Sequence, residues 1–335
     1  MGFHGLTKYF SILFIMILPL FTKAQREIIA FHNCENFFYP KNDSTTLDDE
    51  FTPSSGRNWT WDRFNKKKDD LAKLYIDIGK GNMPAIIGLC EVEGKQVLNS
   101  LCLDSPLRKG SYEYVHYDSK DIRGIDVALI YRKDKFKVVT SENIRIEENY
   151  IIDEPTRDIL YVFGLLNKVP LHIFVIHAPS RRNRDKNKPL RKAIFEEIYH
   201  RAKEITDTTE ANIIIMGDFN DNPWDKSVVE GFRTKRINDN EPILTNLMTK
   251  NKNKTGSYVY SNDILSFDQF LVSKPLLERI ETGDTISHVF IPLYMIDTNP
   301  KLSKPIPFST YKSYKYQGGI SDHYPIYFEI DTRKE

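Results

Sequence analysis

The sequence predicts an α/β protein built on mixed β-sheets, and three features of its pattern carry that expectation. Strand-like and helical runs alternate towards both ends, the middle is a succession of short apolar stretches with period-two alternation, and acids, amides and histidines recur where an apolar strand stops or starts. The third feature bears on function, because polar groups at the carboxyl ends of parallel strands are where α/β sites assemble. With no repeat and no low-complexity linker, one domain over residues 25–335 is expected.

The elements follow in order. REIIAFHN (26–33) and AIIGLCE (85–91) are apolar, β-branched stretches ending in polar residues, and between them Phe64, Leu71, Leu74, Tyr75 and Ile78 recur at helical spacing. That is a β-α-β unit, which places the two strands parallel. YEYVHY, IDVALIYR, FKVVT, DILYVFGLL and PLHIFVIH come next, several with hairpin-like alternation. Pro189 opens a helix whose Leu190, Ile194, Ile198, Ala202 and Ile205 form one apolar stripe. ANIIIMGDFND is a further apolar strand running into a polar loop, and SFDQFLVS and HYPIYFEI complete the set, with Pro-rich and Lys-rich connections between.

The first residues stand apart from that fold. Lys8 precedes an apolar run, Tyr9 to Phe21, and Thr22-Lys23-Ala24 then offers small residues at the two positions a signal peptidase inspects. The segment reads as a signal peptide, 1–24, cut after Ala24, since its run is shorter than the roughly 20 apolar residues of a membrane span. The expected product is secreted or periplasmic, exported from a bacterium, monomeric and without a membrane span. Removing Lys8 and Lys23, with no acid among the same residues, turns the formal net charge from +1 to −1. A globally attractive field for a polyanion is therefore absent, and any such ligand needs a local patch. Cys34, Cys90 and Cys102 allow at most one disulfide, and free buried thiols are expected for at least two of them.

The residues equipped for chemistry are Asn33 and Glu35 after IIAF, Glu91 after IIGLC, His177 after IFVI, Asp218 and Asn220 after IIIMG, Asp268 inside SFDQFLV, and Asp322 with His323 before YPIYFEI. Any one alone is more often a turn or capping residue. Asp322 and His323 are neighbours, and strand alternation would turn them to opposite sides.

The set, in the order GLCE, HAPS, GDFN, an aspartate strand and a terminal SDH, resembles the endonuclease/exonuclease/phosphatase family, which includes deoxyribonuclease I. The matching residues run from Asn33 to His323. The resemblance implies a four-layer α/β sandwich, two packed mixed β-sheets flanked by helices, and a divalent-metal-dependent phosphoesterase. It makes Glu91 the metal-binding glutamate, with Asn33, Asp322 and Glu35 on the same side, and Mg²⁺ or Mn²⁺ the expected cation, with Ca²⁺ as a further candidate. His323 becomes the general base and Asp268 its orienting acid. Asp218 and Asn220 orient water and hold the phosphoryl oxygen, and His177 acts on the leaving oxygen or clamps the phosphate. Asp126, in RGIDVALIYR, falls near an acid that partners the second histidine of deoxyribonuclease I. Arg157, in EPTRDIL, reads either as a phosphate contact or as a surface arginine, and Arg123 and Arg181 join it as candidates for substrate binding.

The substrate stays open among phosphoesters. RRNRDKNKPLRK, Arg181 to Lys192, is either a solvated loop entering a helix or a groove for a nucleic-acid backbone. Export leaves abasic-site repair a poor fit, and SFDQF replaces the Trp-Cys-Asp-Arg stretch of the family's inositol phosphatases. A secreted nuclease leads; a phospholipid or sphingomyelin phosphodiesterase, a small-molecule phosphatase, and an inactive binding module on the same scaffold are the rivals.

Overall fold

The computed structural model describes residues 26–146, 155–234, 242–251, 255–261, 263–280, 286–298 and 304–333. The expected signal peptide lies outside them. β1 (Arg26–Phe37) is followed by α1 (Trp61–Ile78), capped by the Thr60 hydroxyl on the Arg63 N–H, and then by β2 (Ile86–Val92) and α2 (Gly94–Leu103). The strand-rich middle comprises β3 (Tyr112–His116), β4 (Asp126–Arg132), β5 (Phe136–Ile144), β6 (Ile159–Leu166) and β7 (Val169–His177). After a single turn, α3 (Arg182–Asp185), come α4 (Lys188–Thr208), β8 (Ile213–Asp218), α5 (Lys226–Gly231) and β9 (Leu244–Asn246). A small hairpin, β10 (Tyr258–Tyr260) and β11 (Asp263–Leu265), leads into β12 (Asp268–Ser273) and α6 (Lys274–Glu278). The chain closes with β13 (His288–Val289), a second hairpin of β14 (Tyr311–Lys312) and β15 (Lys315–Tyr316), and β16 (Ile326–Asp331).

Two six-stranded sheets result, ordered β13-β16-β1-β2-β4-β3 and β5-β6-β7-β8-β12-β9. Each contains one parallel pair, β1 with β2 and β7 with β8, inside otherwise antiparallel neighbours. Strand parity builds the layers. Ile28 and Ala30 face α1, while Ile29 and Phe31 face the other sheet; Ile213 and Ile215 face α4, while Met216 and Ile214 point inward. A central apolar layer thus joins the sheets, and one more lies beneath the helices on each outer face. Gly88 belongs to this packing, since a Cβ there would collide with the Met216 sulfur from the opposite sheet. This is the four-layer α/β sandwich expected from the sequence. No helix among the described residues is long and apolar enough to cross a membrane.

Two local expectations change or resolve. The last strand begins at Ile326, after Pro325, so Asp322 and His323 lie in the loop before it. Proline has no N–H for a ladder, and strand alternation is not what separates the two side chains. All three cysteines are free and buried. Trp59 is fully buried with its indole N–H on the Phe38 carbonyl at 2.9 Å, whereas Trp61 is exposed.

Candidate active site

The two parallel strand pairs end at the same rim, and the sheets meet there through side chains. His177 is the register partner of Asp218 across β7 and β8, and Asp268 lies directly opposite Asp218 across β8 and β12. From the other sheet, Asn33 sends its amide N–H groups to Asp218 Oδ2 at 3.0 Å and Glu91 Oε1 at 3.3 Å. One asparagine therefore bridges the sandwich. Glu35, Asn36, Glu91 and Asn220 all hold φ near +50°, a left-handed conformation rare for residues with a side chain. Such strain persists only where surrounding structure imposes it, and it gathers at functional sites. In the GDFN stretch, Gly217 runs so close to the Ile176 carbonyl that no Cβ fits.

His323 and Asp268 form a close side-chain pair, Nδ1 to Oδ2 at 2.7 Å, both side chains buried. That bond leaves Nε2 directed at Asp218 Oδ2, 3.9 Å away. Burial alone would lower the imidazole, but Asp268, Asp218 and Asp322 outweigh it and raise His323 well above its ordinary value. The acids shift in the complementary sense. Burial raises Asp218 to about 6, against the pull of His323, and Asp322 reaches about 6 through burial and the Glu91 charge. The second Asp268 oxygen is buried without a hydrogen-bond partner.

The four residues expected on the cation divide. Glu91 keeps its carboxylate at the rim, steadied by the Asn36 N–H on Oε2 at 2.8 Å, and its charge is among the causes that raise Asp322. Asn33 and Glu35 differ from that expectation. The Asn33 oxygen accepts the Glu35 N–H at 2.9 Å and its amide nitrogen faces the acids, so it aligns carboxylates. Both Glu35 oxygens are taken by the Thr310 and Tyr311 N–H groups, at 2.6 and 3.1 Å, which pins the β14–β15 hairpin to the site. Two hard oxygen donors of like charge, both partly exposed at the rim, fit Mg²⁺ or Mn²⁺, which are commonly held by one or two carboxylates plus water and phosphate. The donor atoms of Asp218, Asp268 and His323 also lie within 4.8 Å of one another. There the 2.7 Å contact has hydrogen-bond length, and it marks an acid–imidazole relay.

His177 sits between the acids and the arginines. Its Nε2 is 3.8 Å from Glu91 Oε1 and 3.7 Å from Asp218 Oδ2. Burial, joined by the guanidinium charges of Arg157 and Arg123, holds the ring well below its usual value, so it is neutral. Arg157 is no surface arginine: it is buried, donates to Asp121 Oδ2 at 3.0 Å and reaches the Ala178 carbonyl at 3.1 Å. That same carbonyl accepts from Asn220 Nδ2 at 3.0 Å. Arg123 shares Asp121 from a more exposed position. Arg181 spends its fork on the Asn220 carbonyl at 2.7 Å and on Asp221 and Asp225. Arg191, at the far end of the basic run, is fully buried against Asp221 and Asp185.

Asp126 partners a different histidine from the one expected. Its Oδ2 lies 3.1 Å from His116 Nε2, across the edge pair β3 and β4, while His177 faces Glu91 and Asp218. Three further residues escaped notice in the sequence. Lys67, fully buried, donates to the Glu35 carbonyl and Thr310 Oγ1, both at 2.6 Å. Its position three residues after Phe64, on the buried face of α1, is a readable signal that a Lys-rich run obscures. His32 donates its Nε2–H to the His323 carbonyl at 3.0 Å, and Tyr258 stacks on the His323 ring.

Fold and rim together define a deoxyribonuclease I-like α/β sandwich with a carboxylate-lined phosphoester site. The chain belongs to the endonuclease/exonuclease/phosphatase family, whose sequence profile matches residues 28–332. Members of that family act on phosphoesters and typically use divalent metals. Solved structures share the fold at low identity. An endonuclease/exonuclease/phosphatase family protein from Bacteroides thetaiotaomicron aligns with a TM-score of 0.58 at 16% identity, covering 92% of this chain and 98% of that one. The mannosyl-6-phosphatase Bt3783 of the same species gives 0.53 at 17%, over 90% and 98%. The human Nocturnin catalytic domain gives 0.52 at 18%, over 91% and 93%. No curated protein sequence matches this chain.

Proposed function

We propose that this chain is an exported, monomeric, divalent-metal-dependent phosphodiesterase, with a nucleic-acid backbone as its leading substrate. The observation that carries the reading is the His323–Asp268 pair facing Asp218 across a 3.9 Å gap. A water seated there has a base on one side and a carboxylate acceptor on the other. Asp268 holds the Nδ1 proton, and in the fraction of molecules whose Nε2 is unprotonated, which grows as pH approaches the raised His323 value, Nε2 takes the proton from water as it attacks phosphorus. Asp218 orients that water. Asn220 has a second amide N–H beyond the one on Ala178, and neutral His177 is a donor that brings no competing positive charge. Both are suited to the developing charge on phosphoryl oxygens. Glu91 and Asp322 are the residues that would hold Mg²⁺ or Mn²⁺, which when bound neutralises phosphate charge.

The test is a panel of bis-p-nitrophenyl phosphate, plasmid DNA, RNA, sphingomyelin vesicles and sugar phosphates, each with Mg²⁺ or Mn²⁺ and with EDTA. Salt-sensitive, EDTA-sensitive turnover of nucleic acid supports the nuclease reading, and phosphocholine release would redirect it to lipid. A second reading, a small-molecule phosphatase, draws on Arg181 and Arg191. Both are consumed by internal ion pairs, which leaves Arg182, Arg184, Lys186 and Lys188 as the exposed remainder of the basic run. Metal binding with no turnover on any substrate would identify a binding module and sink both.

A further inference from the structure

Tyr258, whose ring stacks on the relay imidazole, is employed by no step above. Its backbone forms a β-bridge with that of His323, and its ring lies on the imidazole with centroids 4.6 Å apart and planes 25° apart. Phe267 stacks against the same tyrosine at 5.6 Å, and the Arg181 guanidinium covers Phe267 at 4.9 Å. The base of the hairpin is tied to the same machinery. Ser257 Oγ accepts the Asp268 N–H at 3.2 Å, and the Ser257 carbonyl accepts the Tyr324 N–H at 2.7 Å. The ring is thus located by the segments that carry Asp268 and His323, while Tyr260, two residues on, is exposed.

The hydroxyl end of the ring is the informative part. Tyr258 is half-buried, and among the described residues nothing hydrogen-bonds its phenol. Burial, followed by the charges of Asp322 and Asp218 and more weakly of Glu91, pushes the hydroxyl up to about 12. It is therefore protonated at any working pH and sits in the field of the acids that define the centre. A hydroxyl open to solvent and without a protein partner can exchange its water for a ligand acceptor at little cost. A phosphoryl group occupying the space between Asp218, Asp322 and His323 is such an acceptor.

We propose that the Tyr258 hydroxyl contacts substrate, donating a hydrogen bond to a non-bridging phosphoryl oxygen from the His323 side, as Asn220 and His177 do from the other strands. No bond to the phenol oxygen is made or broken. The proposal rests on the phosphoesterase reading above and adds a third donor that arrives on a hairpin instead of a sheet.

The experiment compares wild type, Tyr258→Phe and Tyr258→Leu on bis-p-nitrophenyl phosphate with Mg²⁺, with folding checked by circular dichroism and thermal melting. Tyr258→Phe keeps both ring stacks and removes only the donor. Its kcat is expected to fall about 10²-fold, the typical loss of one charge-stabilising donor, with KM within about threefold of wild type, and inhibition by inorganic phosphate is expected to weaken. Tyr258→Leu, lacking ring and hydroxyl, is expected to fall further. Wild-type kcat/KM in Tyr258→Phe overturns the proposal, as does a loss appearing only in Tyr258→Leu, since the ring alone would then matter. A wild-type protein that hydrolyses no phosphoester overturns the functional reading and this proposal with it, an outcome separate from any result with the variants.

Discussion

Among the described residues two histidine–aspartate pairs are hydrogen-bonded, and one of them lies at the rim. His323 and Asp268 are 2.7 Å apart, and His116 and Asp126 are 3.1 Å apart. Both pairs are buried. The difference is in what surrounds them. The first is faced by Asp218 and Asp322 and covered by Tyr258, and its partners come from segments 55 residues apart. The second joins neighbouring strands at the edge of one sheet, with Nδ1 of His116 buried and unpartnered and only the exposed Asp118 nearby, at 3.9 Å. A paired histidine becomes a candidate catalyst when a second sheet supplies acids on its free nitrogen. Pairing alone does not accomplish that.

The sharpest way to break this comparison is His323→Ala, expected to lower turnover about 10⁴-fold with folding retained. Steady-state kinetics near wild type would remove the pair from the mechanism. Asp268→Asn carries nearly as large a loss of rate, and it makes a directional prediction as well. Burial depresses the imidazole and the Asp268 charge raises it, so removing that charge lowers the His323 value. The acid limb of the kcat/KM profile then moves to lower pH, and a limb that stays in place would mean that another group titrates.

The support around each pair is tested by Arg191→Met. Arg191 and Asp221 are buried together, and the Asp221 carbonyl in turn accepts from Gln269, the neighbour of Asp268. Removing that guanidinium leaves Asp221 with Arg181 and the Ser227 hydroxyl, and is expected to cost about 1–3 kcal/mol in urea unfolding through the lost buried hydrogen bonds. Glu91→Gln sharpens the contrast on the acid side: the Mg²⁺ concentration for half-maximal activity should rise at least about 10-fold, comparable to losing a partner of a metal ligand. An unchanged titration curve would place the cation elsewhere. The smallest effect belongs to His116→Ala, where kcat is expected to stay within about threefold while stability falls by about 1–3 kcal/mol through the stranded Asp126.

Much of the rim was legible because chemistry and order coincide in it. Glu91, His177, Asp218, Asn220, Asp268 and His323 each stand next to an apolar strand, and the parallel pairing of β1 with β2 follows from the helix between them. The misreadings share one cause, which is that a polar atom's partner is seldom near it in sequence. Glu35 resembled a ligand, yet its oxygens are filled by amides 275 and 276 residues away. Arg157 read equally well as a surface arginine until Asp121 and Ala178 closed on it. Asp126 pairs across a strand ladder, which a motif alignment does not see. The three-residue strands β9, β10 and β11 are too short to show periodicity, and so Tyr258 went unnoticed.

Local pattern was enough to determined the layers and the inventory of acids and histidines, because strand parity and helical spacing are properties of neighbouring residues. Tertiary structure alone decided that Asp126 belongs to His116, which arginines remain available to a ligand, and that Asp322 and His323 separate in a loop ahead of Pro325. Those outcomes depend on distances between strands of two different sheets, and no interval along the chain encodes a distance across the sandwich.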